Sequence, residues 1–274
     1  MKLSCIPVTY FQDILQGGMR LEEWIDMAAS FGLDGIDLAQ AWIAALLPRD
    51  IRTLGNRIRD AGLEVCMVRC APDFTHPERG RRRAEIDAMK KMLETAAVLD
   101  APLVRITAGQ AHPDTDREDG VLFAAEGFTT IAEAARACGT TLIYENHTKA
   151  SVWTHRDFSE DEDVYLRILE ETKAAGVCVN FDTANPLVHG KDPLEHLHKV
   201  GNFVRCVDAN DTKIRGKFEF TVVGRGIVPF GEIFSHLKHR LRFDGWISLE
   251  EFSFTGEAGF HEGIEFVRRT WDEC

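Results

Sequence analysis

The chain has 274 residues, 45% hydrophobic and 28% charged, which sets it apart from disordered and fibrous proteins and suits a globular one. A formal net charge of -12 argues against nucleic acid or an anionic membrane as principal partner, because both select a basic face. No window approaches the roughly 18 consecutive apolar residues of a membrane span, and the first residues lack a signal-peptide pattern, so a cytoplasmic location is expected.

Residues 3–8 are predicted as the first strand. Tyr10, Phe11, Gly17 and Gly18 then lead to a helix with Leu21, Trp24, Ile25, Ala28 and Phe31 on one face, the 3.6-residue period. Gly32 ends it. Residues 35–38 form a short second strand, in which Asp37 either orients a substrate or cation or caps the strand-end loop. Ile51, Leu54, Ile58 and Ala61 mark the next helix, and residues 63–69 the third strand. Residues 71–77 are polar and broken by prolines, hence loop. The run Arg79-Gly80-Arg81-Arg82-Arg83 is read as a solvated helix entrance, the alternative being a phosphate or subunit contact. Ile86, Met89, Leu93 and Ala96 continue that helix.

Residues 103–107 make the fourth strand. Arg105 inside it is costly to bury unpaired, so it is expected to meet an acid. After a helix striped by Val121, Ala125, Phe128, Ala132 and Ala135, the fifth strand runs into Glu145, and loop residues 149–158, with Trp153 and His155, are placed to cover a ligand. Residues 159–162 resemble a capping box before a helix through Tyr165, Ile168 and Leu169. The sixth, seventh and eighth strands end at Asp182, Asp208 and Glu250, with a glycine-rich turn at residues 224–230 and a closing helix through Phe260, Ile264, Val267 and Trp271. Eight strand–helix units without repeat or linker predict a single (β/α)8 TIM barrel over residues 1–274. The seven cysteines show no zinc-finger spacing and are expected to be free thiols.

In such a barrel all strand C-termini open on one face, so the four terminal acids, distant in sequence, are expected to converge there. The strings Tyr144-Glu145-Asn146-His147, Asn180-Phe181-Asp182-Thr183, Val207-Asp208-Ala209-Asn210-Asp211 and Trp246-Ile247-Ser248-Leu249-Glu250 resemble the sugar phosphate isomerase/epimerase group of xylose isomerase-like TIM barrels. The resemblance implies one divalent cation, Mn or Mg, held by Glu145, Asp182, Asp208 and Glu250. Asp208 stands where the family carries a histidine, which would make the site all oxygen; the rival is that Asn210 or Asp211 faces the site, or that no metal binds.

The resemblance also implies a ketose epimerase or isomerase working through a metal-stabilised enediolate, with Glu145 and Glu250 alternating as acid and base. His147, Lys149, Asn185, Lys213 and Arg215 are the candidate contacts to a sugar or sugar phosphate, and a homo-oligomer is possible. For His147 the alternatives are orienting Glu145 and being a satisfied histidine. A keto-polyol dehydratase of the same barrel is the alternative function. An endonuclease IV-like barrel would need a basic groove and a histidine-rich metal cluster, and the chain has neither.

Overall fold

A computed structural model describes residues 1–150 and 152–274. Eight parallel strands, β1 (Lys2–Pro7), β2 (Gly35–Ala39), β3 (Glu64–Arg69), β4 (Leu103–Ile106), β5 (Thr141–Glu145), β6 (Cys178–Asp182), β7 (Val204–Ala209) and β8 (Trp246–Glu251), form one sheet. Its order is β1-β8-β7-β6-β5-β4-β3-β2, so the sheet curls into a nearly closed barrel. At the seam, Leu3 N donates to Asp34 Oδ2 at 2.8 Å and Asp34 N to Leu3 O at 2.9 Å, and the Ser4 hydroxyl donates to Asp37 Oδ1 at 2.8 Å. Side-chain bonds and one backbone bond thus join β1 to β2 and the residue before it where the regular ladder stops.

Strand alternation sorts the residues into two layers. Val104, Ile106, Leu142, Tyr144, Val179, Phe181, Val207, Ile247 and Leu249 pack outward in one large core with the helices Leu21–Ser30, Pro48–Asp60, Arg79–Val98, Arg117–Ala137, Glu162–Thr172, Pro193–Val200 and Glu257–Glu273. Met67, Leu103, Ile143, Cys206 and Trp246 form a separate buried cluster inside the barrel. Two residues further along the same strands stand Arg69, Arg105, Glu145, Asp208 and Ser248. The barrel therefore has an apolar floor and a charged layer above it.

One local expectation is corrected. The glycine-rich turn does precede a helix, Phe230–Ser235, but no capping box opens Glu162–Thr172. Ser159 instead donates its N–H and hydroxyl to Asp157 Oδ1 at 2.8 and 2.7 Å. In β7 an irregularity opposite Val179 and Asn180 leaves Val204 in the outer core while Cys206 and Asp208 face in. Among the described residues no helix is long and apolar enough to cross a membrane.

Candidate active site

Five buried or half-buried acids meet in the charged layer. Glu145 and Asp182 end β5 and β6, Asp208 lies near the end of β7, Glu250 on β8 and Asp37 on β2. One oxygen from each of Glu145, Asp182 and Asp208 lies within 4.8 Å of the others. Glu250 stands beside this trio, its Oε2 accepting from Asn210 Nδ2 at 2.9 Å, and Asn210 Nδ2 also approaches Asp182 Oδ2 at 3.5 Å.

Two arginines enter from the neighbouring strands. Arg69 donates Nη2 and Nη1 to the two oxygens of Asp208 at 2.6 and 2.8 Å, and Nε to Asp37 Oδ2 at 2.8 Å. Ser248 donates to Asp37 Oδ2 and accepts from Arg69 Nη2, and Asn180 Nδ2 adds a further bond to Asp208 Oδ2 at 2.7 Å. Asp37 is therefore neither a loop cap nor a substrate contact; it is fully enclosed in this network. Arg105 meets Glu145, as its place in an apolar strand predicts, with Nε 2.6 Å from Oε2, and anchors its Nη1 on Cys70 O at 2.8 Å.

The charges do not balance. Five carboxyls face two guanidinium groups, and the protonation equilibria record the surplus. Burial pushes the Asp182 carboxyl well above its ordinary range, and the charges of Glu250, Glu145 and Asp208 push it further. For Asp208 burial is again the largest influence; Arg69 opposes it, Glu145 and Glu250 add to it, and the carboxyl comes to about 7. Glu145 behaves differently. Burial acts to raise it too, but Arg105, His147 and Arg69 together outweigh that and hold it below the usual range.

These residues fit a hard divalent cation. The donors are all oxygen, the layer carries surplus negative charge, and the buried Glu145 Oε2, although close to Arg105, has no aligned hydrogen-bond donor. Asp208 is the least free of the trio, since Arg69 and Asn180 already use both its oxygens.

Above the layer opens a cavity of about 1100 Å³, lined by Arg69, Arg105, Glu145, Asn210 and Glu250 and, on its walls, by His147, Lys149, Trp153 and Asn185. The His147 Nδ1 lies 3.1 Å from Asp157 Oδ2, and Asp157 is itself buried and held by Ser159. Asn185 gives its backbone N–H to Asp182 Oδ1 at 2.6 Å and accepts from the Thr148 hydroxyl at 2.7 Å. Lys149 donates to Thr154 O at 3.3 Å. Lys213 and Arg215 are not on the cavity wall. Lys213 faces Glu219 at 4.0 Å and Arg215 donates to Gly190 O, both exposed on the hairpin after β7. Asp211 is not a site residue either: its carboxylate accepts the N–H groups of Thr212, Gly224, Gly226 and Val228, so it shapes the glycine-rich turn. A Cβ on Gly226 would fall 2.1 Å from Asp211 Oδ1, which explains the glycine.

Sequence reasoning gave no role to Arg69, Asn180, Asp157 or Gln110. Arg69 carries the same signal as Arg105, a cation at the end of an apolar strand, and Asn180 shares the parity of Asp182. Gln110 is tertiary in character: it donates to Asp73 Oδ2 at 2.9 Å and accepts from Thr154 N and His155 N, clamping the loops after β3, β4 and β5 together. Nothing in its sequence context marks it.

The family model described as xylose isomerase-like TIM barrel matches residues 25–270. An inosose dehydratase of Geobacillus thermodenitrificans (strain NG80-2) is 22% identical, with 91% of this chain aligned to 89% of that protein. The D-psicose 3-epimerase of Clostridium cellulolyticum H10 superposes with a TM-score of 0.81 at 15% identity over 99% of both chains. The probable 3-DHS dehydratase AsbF of Bacillus anthracis superposes at 0.77 and 15% identity, covering 98% of this chain and 99% of that one.

Proposed function

Because the chain belongs to the xylose isomerase-like TIM barrel family, we propose that it dehydrates a small polyhydroxylated ketone, removing a proton alpha to the carbonyl and expelling the hydroxyl on the next carbon. The observation that carries this reading is the His147–Asp157 pair beside Glu145 on the cavity wall. Elimination needs a base for the C–H and an acid for the departing hydroxyl, whereas epimerisation has no leaving group. Glu250 takes the proton, and the C–H electron pair becomes the new double bond. The C–O bond breaks, and the oxygen leaves as water with a proton from His147, whose ring Asp157 orients through Nδ1. The relative named as an inosose dehydratase supports the same class of substrate.

A divalent cation held by Glu145, Asp182 and Asp208 would polarise the substrate carbonyl. Arg69 and Arg105 hold Asp208 and Glu145 in place, and Asn210 orients Glu250. A second reading, epimerisation or isomerisation of a ketose, is favoured by Glu145 and Glu250 both opening on the cavity, since two carboxylates permit proton removal and return from different sides.

Incubating the protein in D2O with a panel of inososes and ketoses tests both. We expect loss of one water, read by mass spectrometry, with one deuterium entering the carbon that lost its hydroxyl as the enol product ketonises, and with both signals abolished by chelation. Exchange without loss of water selects the epimerase reading; neither signal from any member of the panel sinks both.

The metal reading has its own test. Calorimetric titration should give one site preferring Mn2+ or Mg2+ to Zn2+, because the donors are all oxygen. Asp208→Asn should weaken Mn2+ binding at least tenfold, and Asp208→His should shift preference toward Zn2+ or Co2+. Unchanged Mn2+ affinity in Asp208→Asn would remove that residue from the ligand set.

A further inference from the structure

Four phenylalanines form a continuous wall on the same cavity. Phe218 and Phe220 sit on the hairpin after β7, closed by the antiparallel bridge between Thr212 and Phe220. Phe252 and Phe254 follow Glu250 on the loop after β8. Their rings pack in a chain: Phe218 on Phe220 with centroids 4.2 Å apart, Phe220 on Phe252 at 4.7 Å, and Phe252 on Phe254 at 5.2 Å.

The outer two rings are left in water, Phe218 52% and Phe254 66% exposed. Large apolar groups left exposed along one continuous aromatic wall mark a binding surface. Phe254 is also held in the left-handed region, with φ 56°, a conformation rare for any residue other than glycine. Its N–H is fixed at 3.0 Å on the Thr9 hydroxyl, which in turn bonds the buried Glu251. The backbone is locked in a costly shape that presents an aromatic ring to solvent.

The size of the cavity gives the wall an occupant. At about 1100 Å³ it exceeds the roughly 300–1,000 Å³ of sites that enclose drug-sized ligands, and one sugar ring fills only part of it. The acids and arginines at its floor suit the hydroxylated end of a substrate. The Phe wall, reached from Glu250 through Phe252, suits something flat and apolar. We infer that the substrate is a sugar or cyclic polyol ketone bearing an aromatic substituent, an aryl glycoside in type, with the sugar on the acid layer and the aryl group against Phe218, Phe220, Phe252 and Phe254. This rests on the proposed function for the sugar end alone; the wall is a separate observation.

The test is calorimetric binding of phenyl and methyl β-D-glucopyranoside to the intact chain loaded with Mn2+. We expect the phenyl compound to bind at least tenfold more tightly, and the Phe218→Ala/Phe254→Ala double variant to lose that preference while keeping its affinity for the methyl compound. Both positions are exposed, so the variant should fold, which its melting temperature checks. Equal affinity for the two glucosides, or no binding of either, overturns the inference. So does a change of oligomeric state in the double variant by light scattering, which would make the wall a contact between copies of the chain. Failure of the dehydration reading shows instead in the D2O experiment, with the aryl preference intact.

Discussion

Glu250→Gln should lower alpha-proton exchange by about 10²–10⁴-fold with the fold intact, the usual loss when a positioned proton-transfer group is removed. The amide is nearly isosteric and keeps an oxygen toward Asn210 Nδ2, so circular dichroism and melting temperature should stay near wild type. Glu145→Gln should lose as much by another route. It removes the anion that Arg105 contacts at 2.6 Å, leaving a buried guanidinium without its counter-charge, and it removes one of the three convergent oxygens. The two variants are therefore separable. Glu145→Gln should also weaken Mn2+ binding in calorimetry, whereas Glu250→Gln, outside the trio, should leave it within a few-fold of wild type. Wild-type exchange rates in either variant would remove that residue from the mechanism.

Arg69→Met should be the most destabilising single change in the barrel interior. Arg69 is 6% exposed and bridges Asp37 and Asp208, both fully enclosed, so its loss strands two buried carboxylates at once. Breaking a buried pair by removing one partner costs about 3–5 kcal/mol, equivalent here to a fall in melting temperature on the order of 10 °C. Mn2+ should raise the melting temperature of Arg69→Met by more than that of wild type, because the Asp208 oxygens that Arg69 occupied become available to the cation. Replacing Asp208 by Leu in the same variant should recover part of the loss, since one stranded charge is then gone. A melting temperature within about 2 °C of wild type for Arg69→Met would mean that water or protonation compensates the network and that Arg69 does not hold the layer together.

The residues themselves determined the repeating unit of this protein. Eight short apolar runs and the 3.6-residue stripes of the helices between them mark the segments that must be buried, and right-handed crossovers favour a barrel as the arrangement that buries both. The acids at strand ends were legible for the same reason: a carboxylate closing a run such as Thr141 to Tyr144 has only the barrel mouth to go to. Arg105 was legible through the cost of burying a lone charge. What tertiary structure alone decided was which charge meets which. Arg69 is 139 positions from Asp208 in sequence and 2.6 Å from it in space, a pairing fixed by barrel closure and by irregularities in β3 and β7 that no local pattern announces. The same holds for Lys213 and Arg215, polar loop residues that meet Glu219 and Gly190 O and do not line the cavity, whereas Phe218, on the hairpin closed between Thr212 and Phe220, does. Periodicity reports how a segment is buried; it holds no information about its neighbour across a barrel, because that contact costs nothing until the ring is closed.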